Sequence, residues 1–152
     1  MISITGIPGS GKSSICSYLR KLGYDCKNIL DIDDARDCLE NGEMDLDCLN
    51  DRIKWESMSG IMIEGHYSHL VPCTMVFILE RGEEETGKTL LERGYSKEKV
   101  EENLDALRSD IIYREALERL PSSRIHRIKV AEGNPELTAL KIVEFLRPSK
   151  KD

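Results

Sequence analysis

The segment Gly6-Ile7-Pro8-Gly9-Ser10-Gly11-Lys12-Ser13 constrains this chain more than any other. It fits G-x-x-x-x-G-K-[ST], the phosphate-binding P-loop. The spacing has a mechanical basis. Glycines let backbone N–H groups turn inward around a polyphosphate, where a Cβ would obstruct the approach. The lysine then reaches the β- and γ-phosphates, and the hydroxyl after it ligates Mg²⁺. The following helix aims its positive N-terminal end at the same anion. At average composition the pattern arises by chance in roughly one chain of this length in two hundred.

The flanking sequence supplies the strand–loop–helix context that the motif requires. Residues 1–5 read as a short strand, and residues 13–22 place Ile15, Leu19 and Leu22 at helical spacing before Gly23, a C-terminal glycine cap. Residues 24–30 read as a second strand. Residues 31–60 read as two short helices separated by an Asn41-Gly42 turn. Ile61-Met62-Ile63 is a brief apolar run, and residues 73–79 (CTMVFIL) are apolar on both faces, as in a buried parallel strand. Helices are expected over 83–92, 97–120 and 135–146, the last begun near Asn134. A final strand is expected over 124–130. Alternating strands and helices predict an α/β fold: a parallel sheet of about five strands flanked by helices.

With 152 residues, one domain is expected over 1–148, followed by a short charged tail at 149–152. The net charge of −6 argues against direct nucleic-acid binding or an anionic membrane surface, which need clustered Lys and Arg. That charge is concentrated: residues 31–60 hold ten acids against three bases. No cationic stretch precedes an apolar one at the N-terminus, and no window approaches 18 consecutive apolar residues. Neither a secretory leader nor a membrane span is expected. Five cysteines without a C-x-x-C pair argue against a zinc site or a disulfide framework. Free thiols in a reducing cytoplasm are the expectation.

A P-loop specifies a nucleoside triphosphate without specifying the reaction. The acidic partner for Mg²⁺ normally ends a nearby strand, which points to Glu64 after Ile61-Met62-Ile63. His66 beside it is a candidate functional imidazole, whereas His69 reads as structural. Arg93, in the Arg93-Gly94-Tyr95-Ser96 connection, is a candidate lid cation for the transferring phosphoryl group.

The runs GIPGSGKSS, EGHYSHL (residues 64–70) and ERGYSKEKVEEN (residues 92–103) together resemble the adenylate kinase isoenzyme six family, including its archaeal adenylate kinase members. The resemblance covers nearly the whole chain. It implies a P-loop kinase fold of the nucleoside monophosphate kinase type. A monophosphate-binding insertion is implied at about 29–58, and a small lid at about 93–103. It implies the reaction ATP + AMP ⇌ 2 ADP with Mg²⁺. In family members there is also an ATPase activity linked to maturation of the small ribosomal subunit. Carried over residue by residue, the ATP contacts fall on Gly9, Gly11, Lys12, Ser13 and Ser14, with the lid arginine at Arg93. The family's aspartate-x-histidine pattern falls on Glu64 and His66, so glutamate replaces aspartate. The extra methylene moves the carboxylate by roughly 1.5 Å. Thr89 stands where members usually carry an arginine, and Glu80-Arg81 where Leu-Arg is usual.

The leading expectation is therefore a Mg-ATP-dependent kinase acting on AMP or another nucleoside monophosphate. In it Lys12, His66 and Arg93 are catalytic, Ser13 and Glu64 hold the metal, and Asp31 and Arg36 bind the acceptor. The alternative is an assembly ATPase that binds a basic small-subunit ribosomal protein through the acidic stretch 31–60. A nucleoside or sugar kinase is a third reading.

Overall fold

The run predicted over 73–79 forms the strand that organises the sheet, because its apolar side chains can be buried on both faces. In the computed structural model, which describes residues 1–32 and 34–147, it spans Met75–Glu80. Five parallel strands build the sheet: β1 (Ile2–Thr5), β2 (Cys26–Asn28), β5 (Met62–Glu64), β6 (Met75–Glu80) and β7 (Ile125–Lys129). Their order is β2-β5-β1-β6-β7. The chain leaves β1 toward one edge and later crosses to the other. A crevice therefore opens at the carboxyl end of β1, the usual ligand position in open α/β sheets.

One face packs Ile4, Met62, Phe77 and Leu79 against Ile15 and Leu19 of α1 (Lys12–Lys21) and Ala139, Ile142 and Val143 of α6 (Pro135–Leu146). The Asn134 side chain caps α6 by accepting from Leu137 N–H, as its sequence position suggests. The opposite face packs Val76, Ile78 and Ile125 against Ala116. The segment between β2 and β5 has its own small core of Ile29, Leu49, Ile53, Ile63 and Val71.

Four expectations are corrected. The Asn41-Gly42 turn joins strands rather than helices: β3 (Leu39–Glu40) pairs antiparallel with β4 (Glu43–Met44) before α2 (Leu46–Arg52). Positive φ at both turn residues, 53° and 80°, suits a two-residue hairpin. The expected second strand over 24–30 pairs only over Cys26–Asn28 and passes directly into a 3-10 turn over Ile29–Asp31. The long helix over 97–120 is two helices, α4 (Lys97–Ser109) and α5 (Ile111–Leu117), after α3 (Glu83–Glu92). Asp110 breaks it in the left-handed conformation at φ 58°, with its carboxylate taken by Arg127. Finally, four cysteines are paired: Cys16 with Cys26 and Cys38 with Cys48, at Cα separations of 5.5 and 5.6 Å. Among the described residues Cys73 alone is a free thiol. The charged tail expected at 149–152 lies outside the described residues. Among those residues no helix is long and apolar enough to cross a membrane.

Candidate active site

The loop between β1 and α1 adopts the conformation its glycines predict. Gly9 and Gly11 sit at φ 85° and 95°, and a Cβ on Gly9 would come 3.3 Å from Leu90. Gly11 is the N-cap of α1, and the first turn of that helix carries no acid to compete for its positive end. Lys12 follows immediately and folds back over the loop. Its Nζ donates to the Gly6 and Ile7 carbonyls at 2.8 and 2.9 Å, and only 9% of the residue is exposed. Burial lowers the amine from 10.5 to a pKa of about 8; Glu64 opposes that shift and Arg93 adds to it. Ser13 and Ser14 remain exposed on the first turn.

Glu64 ends β5, buried at 4% exposure. Its Oε1 accepts from Asn28 Nδ2 at 2.7 Å and lies 3.5 Å from Ser13 Oγ. The hydroxyl and carboxylate singled out for Mg²⁺ are thus brought together across 51 residues of sequence. Hard oxygen donors of this kind fit Mg²⁺, which keeps waters and phosphates as its other ligands. Among the described residues no group of three or more His, Cys, Asp or Glu converges to hold a metal unaided.

A cavity of about 210 Å³ is lined by Lys12, Ser13, Asn28, Glu64, His66 and Arg93, together with Tyr95 and P-loop backbone. His66 reaches solvent at its mouth, yet loss of hydration over the rest of the ring, with Lys12 and His69 adding, lowers its pKa to about 4. The imidazole is neutral at ordinary pH. It can donate and accept hydrogen bonds there but adds no charge.

Arg93, at the C-terminus of α3, also lines a second cavity of about 210 Å³ on the other side of Gly9 and Gly11. Its walls include Arg81, Thr89, Glu132 and Gly133. Arg81 is engaged on three sides. It donates to the Gly9 carbonyl at 2.9 Å, to Thr89 Oγ1 at 2.6 Å, and through two nitrogens to Glu132. Thr89, noted in the sequence as a missing arginine, is therefore the residue that helps hold Arg81. This arginine clamps the loop after β7 to the P-loop.

The remaining candidates lie apart from this pair of cavities. Asp31 and Arg36 are exposed and pair with each other at 3.5 Å. Asp31 lines a third cavity, of about 310 Å³, together with Asp34, Lys27, Arg52 and Lys54. His69 is buried, with Nδ1 3.0 Å from Thr5 Oγ1 and Nε2 3.1 Å from Glu115. Because the carboxylate only accepts, Nε2 carries the proton and Nδ1 accepts from Thr5. His69 ties β1 to α5 and is structural, as its sequence context suggested. Asn28, Tyr95 and Glu132 were not singled out from the sequence. The signal for Asn28 was a polar residue ending a strand, the position from which α/β folds present side chains to ligands.

Comparison with known proteins places this geometry among relatives. Residues 2–110 match the AAA domain family. A Thermoplasma acidophilum protein named "Putative adenylate kinase" is 49% identical over 138 residues, covering 91% of this chain and 93% of the relative. A Thermoplasma volcanium protein of the same name is 40% identical over 149 residues, covering 98% and 95%. Among solved structures, shikimate kinase from Acinetobacter baumannii superposes with a TM-score of 0.68 at 17% identity, covering 95% of this chain and 91% of that one. That likeness shows the P-loop kinase fold.

Proposed function

Because this chain belongs to the family of archaeal proteins named putative adenylate kinase, with a P-loop domain of the AAA type, we propose that it is a nucleoside monophosphate kinase whose acceptor is AMP. The reaction is ATP + AMP ⇌ 2 ADP. An oxygen of the acceptor phosphate bonds to the γ-phosphorus while the bond from that phosphorus to the β–γ bridging oxygen breaks. No covalent intermediate with the protein forms, so position and electrostatics carry the catalysis.

The observation behind this reading is the convergence of Lys12, Ser13, Glu64, His66 and Arg93 on one cavity beside the P-loop. In the proposal the loop N–H groups, with Gly9, Gly11 and Ser14, hold the ATP phosphates. Lys12 and Arg93 stabilise the charge that develops during transfer. Ser13 and Glu64 hold Mg²⁺, which when bound neutralises charge shared by the β- and γ-phosphates. Neutral His66 orients the acceptor, or water when the acceptor is missing, which gives a slower ATPase reaction. Closure of the segment around Arg93 excludes water from the γ-phosphoryl group. Asp31 and Arg36 contact the acceptor from the insertion at about 29–58. The supply of ATP fits work in the cytoplasm.

A second reading has one observation in its favour. The acids of the insertion, among them Asp37, Glu40, Glu43, Asp47 and Asp51, are exposed. They would suit a basic protein such as a small-subunit ribosomal protein, with ATP hydrolysis as a switch. The test incubates the protein with Mg-ATP and each nucleoside monophosphate in turn, following ADP against free phosphate. AMP-dependent ADP formation well above hydrolysis is expected. Phosphate release that no monophosphate diverts into ADP would overturn the kinase and leave the ATPase reading.

A further inference from the structure

Glu64, the carboxylate proposed to face the metal, sits on a longer stem than the aspartate of the pattern its sequence resembles, and the structure shows what restrains it. Glu64 and Asn28 are directly opposite each other in the parallel pairing of β5 with β2. Both residues end their strands, at the rim where the P-loop and α1 begin. The Asn28 amide donates to Glu64 Oε1 at 2.7 Å, while its own Oδ1 accepts from Leu30 N–H at 2.8 Å. Those two contacts fix which way the amide faces, since the oxygen is committed to a backbone donor and only the nitrogen can meet a carboxylate. Glutamate has one more rotatable bond than aspartate. Freed of a partner, its carboxylate would sample several positions. The oxygen that Asn28 grips is also the one facing Ser13 Oγ at 3.5 Å.

We propose that Asn28 is a positioning residue that holds the Glu64 carboxylate toward Ser13, so that the pair would present two oxygens to Mg²⁺. Outer partners of this type typically change metal affinity 10- to 100-fold when removed. The inference rests on the reading of Ser13 and Glu64 as the metal-holding pair.

The test measures affinity for a non-hydrolysable ATP analogue by titration calorimetry, once with Mg²⁺ and once with EDTA. The ratio of the two affinities is the gain that the metal contributes. Asn28→Ala is expected to cut that gain about tenfold while the affinity in EDTA stays within twofold. Asn28→Ser keeps an oxygen for Leu30 N–H but cannot reach Glu64, and it should lose as much. Recovery of the gain by serine would assign the effect to the backbone cap and overturn the proposal. On a Glu64→Ala background, Asn28→Ala should change the gain by less than twofold, because the route through Glu64 is already absent. An undiminished loss there would overturn it too, as would an unchanged gain in Asn28→Ala. If the unaltered protein shows no gain from Mg²⁺, the reading of the site fails and the positioning role falls with it.

Discussion

Lys12 gives the proposed nucleotide site a pH dependence whose slope follows from its burial. The amine has a pKa of about 8, lowered from 10.5 because loss of hydration disfavours its charged form more than Glu64 restores it. A bound triphosphate sets several negative charges against Nζ and favours the ammonium again. Nucleotide binding above pH 8 must therefore draw a proton from solution. The sign is set by the free protein: it loses the Lys12 proton through about pH 8, while the complex keeps it to higher pH. Affinity then falls as pH rises, by about tenfold between pH 7 and pH 9 and close to tenfold again by pH 10. Proton uptake should be about one half at pH 8 and about nine-tenths at pH 9. Phosphate ionisation lies below this window and acts in the opposite direction. His66, near 4, and Tyr67, raised by burial and Glu64, do not titrate between 7 and 9. Titration calorimetry of the ATP analogue, repeated in buffers of different ionisation heat, reads affinity and proton uptake together. Lys12→Arg, permanently charged, should show a flat profile over the same range. Zero uptake at pH 9 with an affinity unchanged from pH 7 would refute the assignment of this buried amine to the phosphate site.

Two further outcomes test the scaffold around the site. Arg81→Met removes charge-assisted bonds to Gly9 and Thr89 worth about 2 kcal/mol together, the solvent-screened Glu132 pair adding less than about 1 kcal/mol. The melting temperature should fall by roughly 4–8 °C. The KM for ATP should rise while kcat stays within a few-fold, because Glu132 already balances the guanidinium. A kcat loss of about a hundredfold at constant KM would make Arg81 a catalytic cation instead. The pairs Cys16–Cys26 and Cys38–Cys48 each close a short ring, which in the chain-entropy account stabilises by about 3 kcal/mol. Protein purified without reductant and then denatured should expose one thiol, Cys73, and five after reduction. Five thiols before reduction would remove the crosslinks from the account.

What the sequence disclosed is what depends on neighbours along the chain. The P-loop, the apolar run of β6, the cap at Asn134 and the bounds of α3 and α6 are all local, and each was legible. Glu64 was singled out because a carboxylate ending a strand is a local signal with a known use. Its tether was not, because Asn28 meets Glu64 only through the register of β2 on β5. The same limit hid the role of Thr89. Read alone it is a missing arginine; beside Arg81 it is a hydrogen-bond acceptor in the clamp on Gly9. The disulfides escaped for a related reason, since spacing rules for cysteine address metal loops and redox pairs. Here each bridge joins elements that only the fold brings together: α1 to β2, and a 3-10 turn to α2.

The acidic segment 31–60 illustrates why a sum over sequence is a poor guide to the field at a site. Residues 31–60 carry ten acids against three bases, a sum that by itself opposes any anionic acceptor. The structure separates those charges. Glu40, Glu43 and Asp45 gather around the β3–β4 hairpin, lining one recess. Arg52 and Lys54 instead join Lys27 on the wall of another, larger cavity, where among the described residues they face Asp31 and Asp34. At physiological ionic strength exposed charges are screened beyond about 8 Å. A ligand in that cavity meets the mixed charges of its own wall directly, while any exposed hairpin acid farther off than that is damped. The charge of the segment as a whole is therefore a poor argument against AMP, because the bases Lys27, Arg52 and Lys54 share one recess while Glu40, Glu43 and Asp45 line another.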